Sequence, residues 1–468
     1  MKKCARIDPI LFKWISLAVI AAIILSIPCT EEFTQQIKAF LVITVVCIGM
    51  IALQLFDSAL IPSLLLLFSY TFIGDMSTVM YGWTQEAPWN VLSTFIILQA
   101  VEKTPLIKRI SYRIMELLGG SYAGICVGLY IVGLCLSFMS DNTLPALLAL
   151  AYGIVRALGL DHSKAGAGMM LCAYFGNIET ATFIYNPTTD PFIYGMASSM
   201  VPGLQTNSNY GEWFLNGAVF VPYYILVLVI TIYIFKQHKS TAESGTICAK
   251  EYFRQEIKSL GKVDKDEIRV AIILSAMLVF LLTNPLHKLS MVYGFVGAAV
   301  LLYVPIIGVG NGADLKKVNY SFTIFIVACI SIGELAHELG VADLLISILL
   351  PHVSNSNLFI YFVTIAVVVF LLNFIMTPMA IYSSMLAPIT AITMNIPGVL
   401  DVFPLLASVI VGVQNILLPH EIAYALMLYS FGVIELKDFT KIFGIKAVLA
   451  FSWMFIAVGY WKLIGLLA

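Results

Sequence analysis

Charge is scarce in this chain: Asp, Glu, Lys and Arg make up 11% of its 468 residues, against 60% hydrophobic residues, and the mean hydropathy is +0.94. So small a polar supply cannot cover a soluble surface, and the chain reads as a polytopic membrane protein. The polar and apolar alternation over about ten positions that a barrel strand needs is also missing. The apolar runs are instead near-continuous over roughly 17 to 25 residues, long enough as helix to cross a hydrocarbon core. A net charge of -1 and the lack of a long polar segment exclude a nucleic-acid partner. The eight cysteines include no CxxC pair and no metal-ligand spacing, so they read as packing residues. No phosphate-binding glycine loop, metal-ligand pair or nucleophile triad occurs, which leaves ATP coupling and cofactor chemistry without support.

Lys and Arg are absent from alternate loops, and positive charge collects on the cytoplasmic side of a membrane protein. Lys2, Lys3 and Arg6 therefore place the N-terminus in the cytoplasm, while the stretch around Glu31 and the 74–90 loop, free of basic residues, fall outside. The start has the basic-then-apolar form of a signal peptide, but the spans that follow favour an uncleaved first span. Positive charge returns at Lys103, Lys108, Arg109 and Arg113, on an amphipathic stretch expected to lie along the interface. The largest polar piece, 236–269, is expected in the cytoplasm and the C-terminus outside. The expected location is the cell membrane, multi-pass and in contact with lipid.

Two apolar segments break at polar tips in matching places. One follows Thr94-Phe95-Ile96 and reads FMSDNTLPALLAL from Phe138 to Leu150; the other follows Thr323-Ile324-Phe325 and reads FIMTPMAIYSSMLAP from Phe374 to Pro388. Each is followed by a second interrupted span. The expected organisation is an N-terminal span (1–37), a first repeat (38–235) with hairpin 122–158 and broken helix 165–200, the cytoplasmic loop, and a second repeat (270–468) with hairpin 356–397 and broken helix 402–430. Five spans plus a hairpin per copy is an odd count, so the two copies must have inverted topology. The fold expected is an all-α membrane protein of about eleven transmembrane helices plus two re-entrant hairpins. Matched discontinuous helices mark the binding site of a transporter, so the chain is expected to move a small solute.

The segments LQLFDSALIPSLLLL (Leu53 to Leu67), EYFRQEIKSLGKVDKDEIRV (Glu251 to Val270), GVIELKDFTKIFG (Gly432 to Gly444) and YWKLIGLL (Tyr460 to Leu467) stand in the order of family landmarks. On them the chain resembles the divalent anion:sodium symporter family, as a divergent member of the ion transporter superfamily. The resemblance implies a Na⁺-coupled carrier of di- or tricarboxylates or similar anions, a homodimer, and a transport domain that slides like an elevator. It also implies a Ser-Asn-Thr motif at each tip. The first tip keeps Asn142 and Thr143 but has Asp141 where serine is expected, and Ser137 resembles a sodium-site serine. The second has Pro378, Met379 and Ala380 at those positions. The loops of the broken spans carry Glu179 to Thr182 and Asn186-Pro187-Thr188-Thr189 in the first, and Pro419-His420-Glu421 in the second.

Half-helices that begin at a tip aim N–H groups and partial positive charge at the site, which suits an anion, while unwound C=O groups suit a cation. The expected substrate-binding residues are Asn142, Thr143, Thr180, Asn186, Thr377, Pro419, His420 and Glu421; the expected cation-binding residues are Ser137, Asp141, Asn142, Glu179 and Thr377. A midplane carboxylate costs about 2.5 to 3.5 kcal/mol, so Asp141 is a Na⁺ ligand, a proton carrier or a helix cap. With Glu179, His420 and Glu421 all facing the pocket, a dianion site would be oddly acidic, which would favour protons over Na⁺ as coupling ion or protonation of some of these groups. Asp57, Glu102, His238, His337 and His352 read as solvated or paired surface residues. Proton-coupled symport, anion exchange, a passive channel and a membrane enzyme using Asp141, Glu179 and His420 are the rival readings.

Overall fold

The computed structural model of the chain describes residues 9–31, 33–53, 55–56, 58–118, 121–201, 210–236, 242–287, 289–341, 344, 357–374 and 377–468. Asp57, His238 and His352 lie outside these residues, as do the side chains of Asp141 and His420. Apolar runs without alternation give helices throughout; the described residues contain no strand, only an isolated bridge between Val399 and Leu467. The first part of the chain forms α1 (Pro9–Ser26), α2 (Gln35–Ala52), α3 (Leu60–Tyr70), α4 (Glu86–Val101) and the amphipathic α5 (Leu106–Leu117). Next come α6 (Tyr122–Ser137), α7 (Leu144–Ala157), α8 (Lys164–Asn177), α9 (Asp190–Ser198), α10 (Tyr210–Gly217) and α11 (Val221–Phe235). The polar stretch holds α12 (Ala242–Ser259), followed by α13 (Lys265–Leu282), α14 (Val292–Tyr303) and α15 (Tyr320–Glu338). The remainder is α16 (Leu358–Leu372), α17 (Pro378–Thr393), α18 (Phe403–Gln414), α19 (Ala423–Ser430) and α20 (Leu436–Leu463).

By length and composition, Tyr210–Phe235, α15 and α20 are each sufficient to cross a membrane, while α6, α7, α16 and α18 are apolar but shorter. Large apolar side chains stand exposed along helices, among them Ile10, Leu64, Phe68, Ile272 and Ile456. Such a surface is stable only against lipid. One boundary differs from expectation. The apolar run from about 446 to 465 predicts a last span there, yet α20 starts ten residues earlier, at Leu436, and carries Lys446 in its buried interior.

The two halves pack by the same scheme. α6 lies against α8, and α16 against α18. A side chain at Gly176 would collide with the Tyr130 carbonyl, and one at Gly412 with Ala366 and Val369, so small residues set both close approaches. α11 then covers α8, whereas α20 lies against both α16 and α18, and the halves cross: α9 packs on α17, and α19 on α7. Near the charged stretch, Arg109 of α5 grips Glu267 with two hydrogen bonds of 2.6 and 3.2 Å, and Phe253 of α12 is fully buried. The amphipathic segment expected after α15 falls largely outside the described residues.

Candidate functional site

Ser140 shapes the first tip. Its hydroxyl accepts from the Asn142 backbone N–H (3.1 Å) and from Asn142 Nδ2 (3.0 Å), while Thr143 Oγ1 donates back to the Ser140 carbonyl (2.7 Å). A hydroxyl accepting from the N–H two residues on is a local turn that ends one helix and starts the next. The sequence places Ser140 directly before Asp141, and only the motif register drew attention past it. Asn142 is also held from the other half: Tyr424 Oη, on α19, donates to its Oδ1 at 3.0 Å.

The first unwound loop docks on this tip. Asn186 Nδ2 donates to the Ser137 carbonyl (3.2 Å), and its Oδ1 accepts from the backbone of Thr188 (3.0 Å) and Thr189 (3.2 Å). Asp190, fully buried at the start of α9, accepts from the Asn186 N–H at 2.6 Å. Thr180 Oγ1 donates to Ser137 Oγ at 3.3 Å, and Ser140 and Thr188 hydroxyls lie 3.5 Å apart. Ser137, Asn142, Thr143, Thr180 and Asn186 are thus brought into one largely buried polar cluster, joined by Ser140, Thr188 and the Asp190 carboxyl.

At the end of α8, Asn177 donates from Nδ2 to the Gly133 carbonyl (3.2 Å) and to Thr143 Oγ1 (3.1 Å), and its buried Oδ1 has no hydrogen-bond partner. At the end of α18 the arrangement is reversed. Asn373 Nδ2 donates to the carbonyls of Gly412 (3.0 Å), Val413 (2.9 Å) and Asn415 (3.2 Å), and Lys446 Nζ donates to that of Gln414 (2.7 Å). Lys446 also forms an ion pair with Glu179, and both side chains are 1% exposed. The Phe443 and Phe175 rings face the ammonium at 5.3 and 5.8 Å. Gln414 Nε2 donates to the Ile178 carbonyl (2.9 Å), while Tyr224 Oη donates to Gln414 Oε1 (3.1 Å) and accepts from Thr182 (3.1 Å). Glu179 therefore has a fixed counter-ion, which the sequence reading did not foresee, and both unwound loops are tied to α20.

At the second tip, Thr377 caps α17 by accepting from the Ala380 N–H at 3.4 Å. Pro419 opens a single 3₁₀ turn, and Glu421 folds back so that its Oε1 accepts from the backbone N–H of Leu417 (3.0 Å) and Leu418 (2.6 Å). Two of the three ionisable groups that made the pocket look acidic are thus engaged, Glu179 by Lys446 and Glu421 by its own loop. A cleft of about 390 Å³ reaches Thr377 between Met50, Phe56, Ser58 and Pro62; another of about 370 Å³ runs between α5 and α7, past Lys108, Tyr112, Leu136 and Leu147. Both volumes fall in the range of small-ligand pockets. No group of three or more potential metal ligands occurs among the described residues. Beyond the apolar helices, Lys103 donates to Asp314 at 2.9 Å and holds its carboxyl below the usual carboxylate range.

Comparison with known proteins gives this geometry a context. The pattern describing the sodium:sulfate symporter transmembrane region matches residues 10–467. The chain is 21% identical over 413 residues to the chloroplastic dicarboxylate transporter 2 of Spinacia oleracea, covering 83% of this chain and 71% of that protein. It is 20% identical over 388 residues to the L-tartrate/succinate antiporter of Shigella boydii (79% and 78% covered), and 22% identical over 286 residues to a putative malate transporter of Bacillus subtilis (58% and 57%). In fold it is similar to the YdaH transporter of Alcanivorax borkumensis, with a TM-score of 0.58 at 13% identity over 98% of this chain and 99% of that one.

Proposed function

The chain belongs to the sodium:sulfate symporter family, the divalent anion:sodium symporters, and on that premise we propose that it is a secondary active carrier of small dicarboxylates coupled to Na⁺. Its family and relatives are transporters, not enzymes. The observation that carries the proposal is the neutral cluster of Ser140, Asn142, Thr143, Asn186 and Thr188 at the first tip, faced by α19 from the other half. Hydroxyl and amide groups can bind a carboxylate without leaving a permanent unpaired charge at membrane depth. The Na⁺ site sits at the end of α8, beside Asn177, Ser137 and Thr143, with Asp141 as a further ligand, a proton carrier or a cap.

α6–α7 and α16–α17 act as re-entrant hairpins that move with the broken spans against the remaining helices, in a homodimer of the cell membrane with a cytoplasmic N-terminus and an external C-terminus. The crosswise packing of α9 on α17 and α19 on α7 supports a single moving body. Lys108 lines the α5–α7 cleft, together with Glu102. Exchange is the second reading, favoured by the antiporters among the relatives. Uptake of labelled succinate, malate, tartrate, citrate and sulfate by reconstituted protein, under imposed Na⁺ or proton gradients and with or without internal dicarboxylate, tests both. Concentrative uptake driven by Na⁺ supports symport. Uptake that requires internal dicarboxylate and ignores both gradients supports exchange, and no flux of any carboxylate contradicts the assignment.

A further inference from the structure

An ammonium buried at membrane depth costs several kcal/mol unless it is paired and hydrogen-bonded, so Lys446 needs a reason. Its Nζ lies at the end of α18, 2.7 Å from the Gln414 carbonyl and paired with Glu179, while Asn373 reaches the carbonyls of Gly412, Val413 and Asn415. The last carbonyls of a helix have no intrahelical donor, and in broken-helix transporters such ends coordinate the coupling ion. Here two side chains of the chain itself reach all four, and one brings the positive charge an ion would supply. The end of α8 differs in its backbone: no donor is found among the described residues for the carbonyls of Phe175, Gly176 and Asn177, whereas an unpartnered buried amide oxygen occurs at both ends, Asn177 Oδ1 here and Asn373 and Asn415 Oδ1 at α18.

Resting on the reading of this protein as a cation-coupled carrier, we propose that Lys446 is a resident cation of the second broken span, taking the place of a dissolved coupling ion there and leaving cation uptake to the end of α8. Glu179 balances the ammonium from the first loop, so the charge stays within the protein through the transport cycle. Replacing Lys446 and Glu179 together by neutral residues should open the Gln414 carbonyl, beside those held by Asn373, to Na⁺ without leaving a lone buried charge.

The test follows thermal unfolding of the full-length protein in detergent as NaCl replaces choline chloride at constant ionic strength. It needs no carboxylate, so it is independent of the substrate: failure of the carboxylate reading appears as missing uptake by the wild type, with this comparison unaffected. A ligand that binds only the folded state stabilises it in proportion to the logarithm of its concentration once its site is saturated. Lys446→Met/Glu179→Gln is expected to show a steeper rise with log[Na⁺] than the wild type, by the increment of one further ion. Glu179→Gln alone, which keeps the Lys446 side chain on the Gln414 carbonyl, is expected to keep the wild-type slope. Equal slopes for the double variant and the wild type overturn the proposal, as does a steeper slope in Glu179→Gln. Lys446→Gln/Glu179→Gln provides a second neutral pair, judged by the same slope, should the methionine variant not fold.

Discussion

At the end of α8, polar oxygens are left over: Asn177 Oδ1 is buried without a partner, and the terminal carbonyls have no donor among the described residues. At the end of α18 the backbone carbonyls are taken by Asn373 and Lys446, although the Oδ1 atoms of Asn373 and Asn415 are buried there without a partner among the described residues. The halves share their packing scheme, so the difference lies in side chains rather than in fold. An asparagine stands beside each break, but on opposite partners: Asn177 belongs to the broken span and reaches towards α6, whereas Asn373 ends α16 and reaches into the broken span. A repeat can therefore keep its architecture while one copy is held together by its own donors and the other keeps acceptors for a ligand.

The largest effect should come from removing the ammonium alone. Lys446→Met leaves Glu179 buried without its counter-ion and should destabilise the protein by about 3 to 5 kcal/mol, with most of the loss recovered in Lys446→Met/Glu179→Gln. Thermal unfolding of both variants checks this, and equal losses in the two would mean that packing rather than charge is at stake. The two asparagines should separate next. Asn373→Ala frees three carbonyls and should cost about 1 to 3 kcal/mol in stability, whereas Asn177→Ala should weaken Na⁺ dependence of uptake more than it weakens folding. The reverse ranking would break the comparison.

A smaller effect is expected where the halves meet. Tyr424→Phe removes one hydrogen bond to Asn142, worth about 1 kcal/mol, so KM should rise about five-fold with little change in unfolding temperature. An unchanged KM would show that Asn142 is held sufficiently by Ser140. The smallest effect concerns Lys103 and Asp314, far from both ends. The lysine lowers the folded pKa of Asp314, so its contribution is present above the ordinary carboxylate range near about pH 4 and is lost as pH falls through the lowered value. Lys103→Met should cost under about 1 kcal/mol at neutral pH and little in acid. A loss that grows in acid would have the wrong sign.

The all-helical membrane fold and the carrier family could be read from the sequence, because long apolar runs and two matching polar tips leave few alternatives. Residues within the polar tip and the unwound loop, such as Asn142, Thr143 and Asn186, could be named because these breaks announce themselves. Lys446 could not, since a lysine ten residues into an apolar helix reads as the helix edge, and its partner lies 267 positions away. Glu179 was named as a cation ligand without knowledge of that partner. Tyr424 and Asn373 were missed for the same reason: their contacts exist only once the two halves cross or a helix end is unwound. Ser140 was the one nearby signal overlooked, hidden by reading the tip in the family's register.

The central claim is that the first tip binds the transported anion, and it is tested most directly by Na⁺-driven accumulation of labelled succinate in proteoliposomes by the wild type and Asn142→Ala/Thr143→Ala, both monodisperse in detergent. The account predicts concentrative uptake by the wild type and loss of at least about ten-fold in the double variant, as expected when two hydrogen bonds of about 1 kcal/mol each are removed. Wild-type uptake by the folded double variant would contradict it.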